Sequence, residues 1–172
     1  MSNEISFRKG YKYQLAEPYE IDLPNSLASL KEKIRRAKEA GDAKTVSEVE
    51  DQIQKQDHLP LLSRDASTSL LRLSREGKLL ILDGYAWDGP SGPAIDTTNF
   101  MRGSLVHDVL YQLIRLGQLD SSWRDHADKI LRELCIEDGM STVRAWWVYT
   151  SVKSFAQRAA RPSSEPQIFR AP

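Results

Sequence analysis

The chain has 172 residues, 40% of them hydrophobic and 28% charged, and its 24 basic and 24 acidic side chains cancel to a formal net charge of zero. That length suits about one domain with a core that needs no staples, and the charge balance argues against a dedicated nucleic-acid binder, which usually carries a basic excess. Cys135 is the only cysteine, which excludes an intrachain disulfide; no run reaches the ~18 apolar residues of a transmembrane helix, and the first residues lack the basic start and apolar run of a signal peptide.

Residues 5–23 alternate apolar and polar positions (Ile5, Phe7, Tyr11, Tyr13, Leu15, Tyr19, Ile21, Leu23), a period of two that predicts short strands punctuated by Gly10 and Pro18. At Pro24 the texture changes. Asn25 or Ser26 caps a helix running to about Ala40, with Leu27, Leu30, Ile34 and Ala37 on one side. Gly41 stops it, and Asp42 caps a second helix with a narrow stripe of Val46, Val49 and Ile53. Residues 25–57 thus read as a charged helical hairpin inserted into the domain. A stripe that narrow packs on the body or meets another subunit. His58 falls in the linker behind it and is expected to face solvent.

Strand texture returns at 68–87. Leu70–Leu73 and Leu79–Leu82 flank Arg75-Glu76-Gly77-Lys78, a hairpin turn, and the second strand runs on toward Tyr85 and Trp87. Residues 88–98 follow, a loop with two Gly-Pro steps and a constrained backbone. Asp96, Thr97 or Thr98 caps a helix over about Phe100–Leu116. A further helix runs from Asp120-Ser121-Ser122 to about Glu137. The last starts at Ser141 or Thr142 and carries Val143, Trp146, Trp147, Tyr149, Thr150 and Phe155, with the tryptophans as core and surface anchors. Arg161–Pro172, with three prolines, reads as an irregular tail suited to lying over a neighbouring surface. The fold class expected is α+β, one domain over 1–160. A small antiparallel sheet (5–23 and 68–87) supports a three-helix unit (100–158), from which the inserted hairpin projects.

The chemistry concentrates in Leu105-Val106-His107-Asp108-Val109-Leu110-Tyr111 and in His126-Ala127-Asp128. His107 and Tyr111 are four apart and share one helix face. A neutral imidazole is a competent general base near neutral pH when a carboxylate fixes its tautomer, and Asp128 on the next helix is the candidate orienter. Tyr111 could hold Asp128 through its hydroxyl. Asp108, with carbonyls from the Gly-Pro loop, could bind a hard cation that polarises an ester. His126 is two residues from Asp128, which splays the two on a helix and disfavours a transition-metal site. Arg102 could anchor a phosphate or the loop, or form a structural ion pair. His107 bonded to Asp128 could equally be a satisfied core histidine that holds two helices together.

These residues resemble phospholipase A2, most closely the disulfide-free version in parvovirus capsids. The stretches that carry the resemblance are Gly89-Pro90-Ser91-Gly92, His107-Asp108-Val109-Leu110-Tyr111 and Ala127-Asp128, within about residues 85–135. The resemblance implies that His107 activates water, that Asp128 and Tyr111 orient it, and that Asp108 with Gly89 and Gly92 holds calcium. A second resemblance covers more of the chain. A strand hairpin, Trp87-Asp88-Gly89-x-Ser91-Gly92-Pro93, Arg102-Gly103-Ser104-Leu105-Val106-His107-Asp108-x-Leu110-Tyr111, an Ala-Asp helix and an aromatic last helix are similar to the phage and prophage family known as domain of unknown function 1353. That family has no assigned activity, so this likeness implies phage origin, and the helical hairpin lies outside its core pattern.

Three functions stay open on the sequence. One is a calcium-dependent lipid esterase acting as a phage enters or lyses its host. Another is a non-enzymatic tail or baseplate protein, meeting other virion proteins or its own copies through residues 25–57 and 161–172. The third is a metal-dependent hydrolase of another substrate. The expected location is the virion or the host cytoplasm.

Overall fold

Strand formation starts from the aromatic alternation near the N-terminus. In the computed structural model, which describes residues 7–8, 13–87, 89 and 98–159, β1 is Phe7–Arg8, β2 Tyr13–Leu15 and β3 Tyr19–Asp22. After the helical hairpin come β4 (Ala66–Ser67), β5 (Leu71–Leu73), β6 (Lys78–Ile81) and β7 (Ala86–Trp87). All pairings are antiparallel, so the α+β class expected is found, with the strands divided between two sheets rather than one. The orders are β1-β2-β7 and β3-β6-β5-β4.

Both chain segments change sheet at matched points. Pro18 lies between β2 and β3, where its missing N–H would break a ladder. Gly84, at φ +83°, turns the chain between β6 and β7. The two breaks are tied together: Gly84 N donates to Leu15 O and Leu15 N to Tyr85 O, each at 2.8 Å. Of the residues expected in strands, Ile5, Gly10 and Tyr11 lie outside the described residues.

The hairpin forms as its caps dictate. Helix α1 is Leu27–Glu39, with Ser26 Oγ accepting from Ser29 N, and α2 is Ala43–Gln54, with Asp42 Oδ1 accepting from Thr45 N. Leu30, Ala37 and Val49 are buried, while the ion pairs along both helices are exposed and contribute little each. The root is fixed to the sheet: Ala28 N donates to Glu76 O and Leu59 N to Asn25 O. Gly77, at φ +93°, presses on the Ser26 side chain, where a Cβ would collide. His58, expected in solvent, is half-buried and its Nδ1 lies 2.7 Å from Leu59 O.

Helix α3 (Thr98–Arg115) is the central rod, and every residue from Phe100 to Val106 is buried. A helix enclosed all round needs neighbours on every side. The main core, including Leu15, Leu23, Leu79, Ile81, Leu105, Leu110 and Leu134, joins the strands to α3 and α4 (Trp123–Glu137). A smaller cluster of Phe100, Leu131, Cys135, Met140, Ala145 and Val148 joins α4 to α5 (Thr142–Ala159). Helix α3 starts two residues before the expected Phe100; the proposed caps Asp96 and Thr97 and the tail 161–172 lie outside the described residues. Trp146 and Trp147, expected to divide between core and surface, are both on the surface, 58% and 43% exposed.

Candidate active site

The site is built on the antiparallel pair α3 and α4, and a short motif on α3 sets how closely they lie. Gly103 faces α4 so tightly that a Cβ there would come 3.0 Å from Cys135 Sγ and Leu131 Cδ1 and 3.2 Å from Leu131 O. On its two sides sit Arg102 and Ser104. Arg102 is buried and grips the far end of α4: Nη2 lies 2.7 Å from Asp138 Oδ1 and 2.8 Å from Glu137 Oε2, and Nε donates to Asp138 Oδ2 at 3.1 Å. A fork gripping a carboxylate with two donors fixes orientation as well as distance. Ser104 Oγ donates to Met101 O and accepts from Trp87 Nε1 at 3.3 Å, tying α3 to β7. Of the roles considered for it, Arg102 therefore takes the structural ion pair.

With α3 and α4 held this way, the ring of His107 meets Asp128. His107 Nε2 is 2.9 Å from Asp128 Oδ1, and the Tyr111 hydroxyl donates to the same oxygen at 2.9 Å. The rings of His107 and Tyr111 stack at 4.3 Å, as their spacing of four requires. Asp128 is 3% exposed. A carboxylate so enclosed must be satisfied by donors, and these two supply them. The Nδ1 side of His107 faces the more open Asp108, whose Oδ1 is 3.7 Å away, beyond direct hydrogen-bonding length.

The electrostatics follow from burial and the two acids. Burial pulls the His107 pKa down, but the Asp108 and Asp128 carboxylates outweigh it and leave the imidazole above its ordinary range. Burial, then Asp128, raises the Tyr111 phenol, which keeps its proton and stays a donor. Tyr85, also raised by burial and then by Asp108, donates to Gln112 Oε1 at 2.9 Å beside the site.

Of the six residues singled out by sequence, His107, Asp128 and Tyr111 come together in direct contact and Asp108 flanks them. Gly89 sits just past β7 at φ +70°, where a Cβ would run into the Tyr13 ring; its glycine is explained by that packing. Gly92 lies outside the described residues. Calcium takes about six to eight oxygens. Among the described residues no group of three His, Cys, Asp or Glu side chains is arranged to hold a metal ion. The Gly-Pro loop expected to supply carbonyls to such an ion lies largely outside the described residues, and no step of the chemistry is routed through the ion. His126 packs on the Trp123 ring instead, at 5.6 Å.

The clamp of Arg102 on Asp138 and Glu137 was not assembled from sequence. The paired acids Glu137 and Asp138 at the end of α4 were the available signal.

Fold and site together define an α+β protein with a buried His–Asp–Tyr cluster between two antiparallel helices. Residues 74–152 match the family described as Protein of unknown function (DUF1353). The matched span takes in β6, β7, α3, α4 and most of α5, and leaves the helical hairpin outside. No curated protein and no solved structure matches the chain.

Proposed function

We propose that this chain is a phage-encoded hydrolase of the phospholipase A2 kind, cleaving lipid esters with His107 as the general base. One observation carries the reading: Asp128 Oδ1 takes hydrogen bonds from both His107 Nε2 and the Tyr111 hydroxyl. A carboxylate on Nε2 places the imidazole proton there and leaves Nδ1 as the base, on the side toward Asp108. Nδ1 then takes a proton from water as its oxygen attacks the ester carbonyl. The tetrahedral intermediate collapses by breaking the ester C–O bond, and His107 returns the proton to the departing alcohol. Tyr111 keeps Asp128 from turning away.

A second reading has its own support. Asp128 is 3% exposed and the His107 side chain 13%, and an enclosed network of this kind fixes helix packing without any turnover. Under that reading the chain is a virion component in which His107 is structural.

The test is fatty-acid release from phospholipid vesicles, with calcium and with a chelator, for the wild type and His107→Gln. Release that His107→Gln abolishes supports the hydrolase, and the chelator arm reads whether a cation at Asp108 takes part. No release from the folded wild type in either arm, or equal release by His107→Gln, refutes it.

A further inference from the structure

We propose that the outer face of α5 is a docking surface for an anionic lipid membrane. The inference stands on α5 alone and does not use the His107 chemistry.

Helix α5 is apolar on two opposite sides. Its inner side, Ala145 and Val148 with the partly buried Val152, packs on the smaller core cluster. That side accounts for its attachment to the body. On the outer side, Val143, Trp146 and Trp147 stand at i, i+3 and i+4, so they share one face. They are 77%, 58% and 43% exposed. A contiguous exposed apolar patch marks an interaction surface, and paired indoles suit a boundary between water and hydrocarbon.

The polar residues that continue the same face do not break it. The Thr150 hydroxyl folds back to donate to Trp146 O and Trp147 O at 3.1 and 2.9 Å, and the Ser154 hydroxyl donates to Thr150 O at 2.8 Å. Their donors are spent on the helix's own backbone. This suits a face that leaves water, where free donors carry a cost.

Charge selects the occupant. From Thr142 to Ala159 the helix holds Arg144, Lys153 and Arg158 and no acidic residue; Lys153 Nζ lies 3.1 Å from Asp125 Oδ1 of α4, a carboxylate shared with Lys129, so that cluster keeps a net positive charge. At about 100° per residue, Arg144 and Lys153 fall on opposite shoulders of the tryptophan face. A second copy docking α5 on α5 would bring two faces with basic flanks together. An anionic lipid surface is attracted to the same arrangement, with the indoles in the interface and the basic shoulders at the headgroups. No helix of the described residues is long and apolar enough to cross a membrane, so the mode is lying on the surface rather than spanning.

The experiment uses the full chain with vesicles of phosphatidylcholine alone and of phosphatidylcholine mixed with phosphatidylglycerol. Trp87 and Trp123 are buried, so contact quenching by brominated lipid reports on Trp146 and Trp147 without any variant. The expected result is co-sedimentation with the anionic vesicles that salt weakens, together with quenching of indole fluorescence by brominated lipid. Trp146→Ala/Trp147→Ala should lower partitioning roughly tenfold or more. His107→Gln should bind as well as wild type, which separates this result from the fate of the hydrolase reading. Failure to bind anionic vesicles, or binding with both indoles unquenched, overturns the proposal. So does concentration-dependent self-association that shields the indoles without lipid, which would assign the face to a second copy.

Discussion

The decisive perturbation of the site is Asp128→Ala, read against Tyr111→Phe. Asp128 Oδ1 accepts two hydrogen bonds, each 2.9 Å, in a position 3% exposed. A hydrogen bond to a charged group contributes about 1.5–3 kcal/mol. Losing both would cost up to about 6 kcal/mol, offset by relief of the carboxylate's own burial. The expected net loss is therefore about 3–5 kcal/mol for Asp128→Ala and about 1.5–3 kcal/mol for Tyr111→Phe. At about 2–4 °C per kcal/mol for a chain of this size, Asp128→Ala should lower Tm by roughly 6–20 °C. The two changes must not add. Once Asp128 is gone, the Tyr111 hydroxyl has lost its acceptor, so Tyr111→Phe in that background should cost less than about 0.5 kcal/mol. Urea unfolding of wild type, both single variants and the double variant closes the cycle. Additive losses, or a loss below about 1 kcal/mol for Asp128→Ala, would refute the shared-acceptor geometry.

Two further predictions rest on ionisation. The His107 pKa is raised above 6.5 in the folded state, so its pairing stabilises fully below that value and the contribution is lost as pH rises through the folded pKa. Unfolding of wild type and His107→Gln from about pH 5 to about pH 9 should show the gap between them narrowing toward the alkaline end; a gap that widens there contradicts the sign. Burial pushes the Cys135 thiol up to about 12, which leaves almost no thiolate at neutral pH. The native chain should resist a thiol reagent that labels it promptly in urea, and prompt labelling without urea would show that the α4–α5 packing opens.

Much of the fold was legible because local chemistry and tertiary packing agree. Ser26 and Asp42 cap the hairpin helices as their side chains predict, and Gly41 turns between them at φ +71°. The His107–Tyr111 spacing put two rings on one face before any neighbour was known. The split into two sheets was hidden, because alternation gives each strand its faces but not its partner. Pro18 was visible, yet Gly84 and Leu15 bond to each other across 69 positions, a pairing that no short window contains. The Arg102 clamp was hidden for the same reason: Arg102 and Asp138 lie 36 positions apart. The tryptophans misled because apolar residues at helical spacing look alike on the core face and the outer face. Only the positions of Ala145 and Val148 show which side of α5 is already occupied.

The placement of the supports bears on what residues 74–152 hold together. Arg102, Gly103 and Ser104 are consecutive, and each holds α3 to a different neighbour: the end of α4, the middle of α4, and β7. All three partners fall within 74–152, as do His107, Tyr111 and Asp128. The helical hairpin contributes none of these contacts. Its ends are brought together at Asn25 O and Leu59 N, 2.8 Å apart, so it departs from and returns to one point of the sheet. What the first strands add is the lateral completion of the two sheets, β2 on β7 and β3 on β6, beneath the central rod. Three consecutive residues, three to five positions before His107, fix the rod on three sides. The grip on α4 at both Asp138 and Asp128 fixes its register against α3, and register is what the proposed general base would require of its orienting carboxylate.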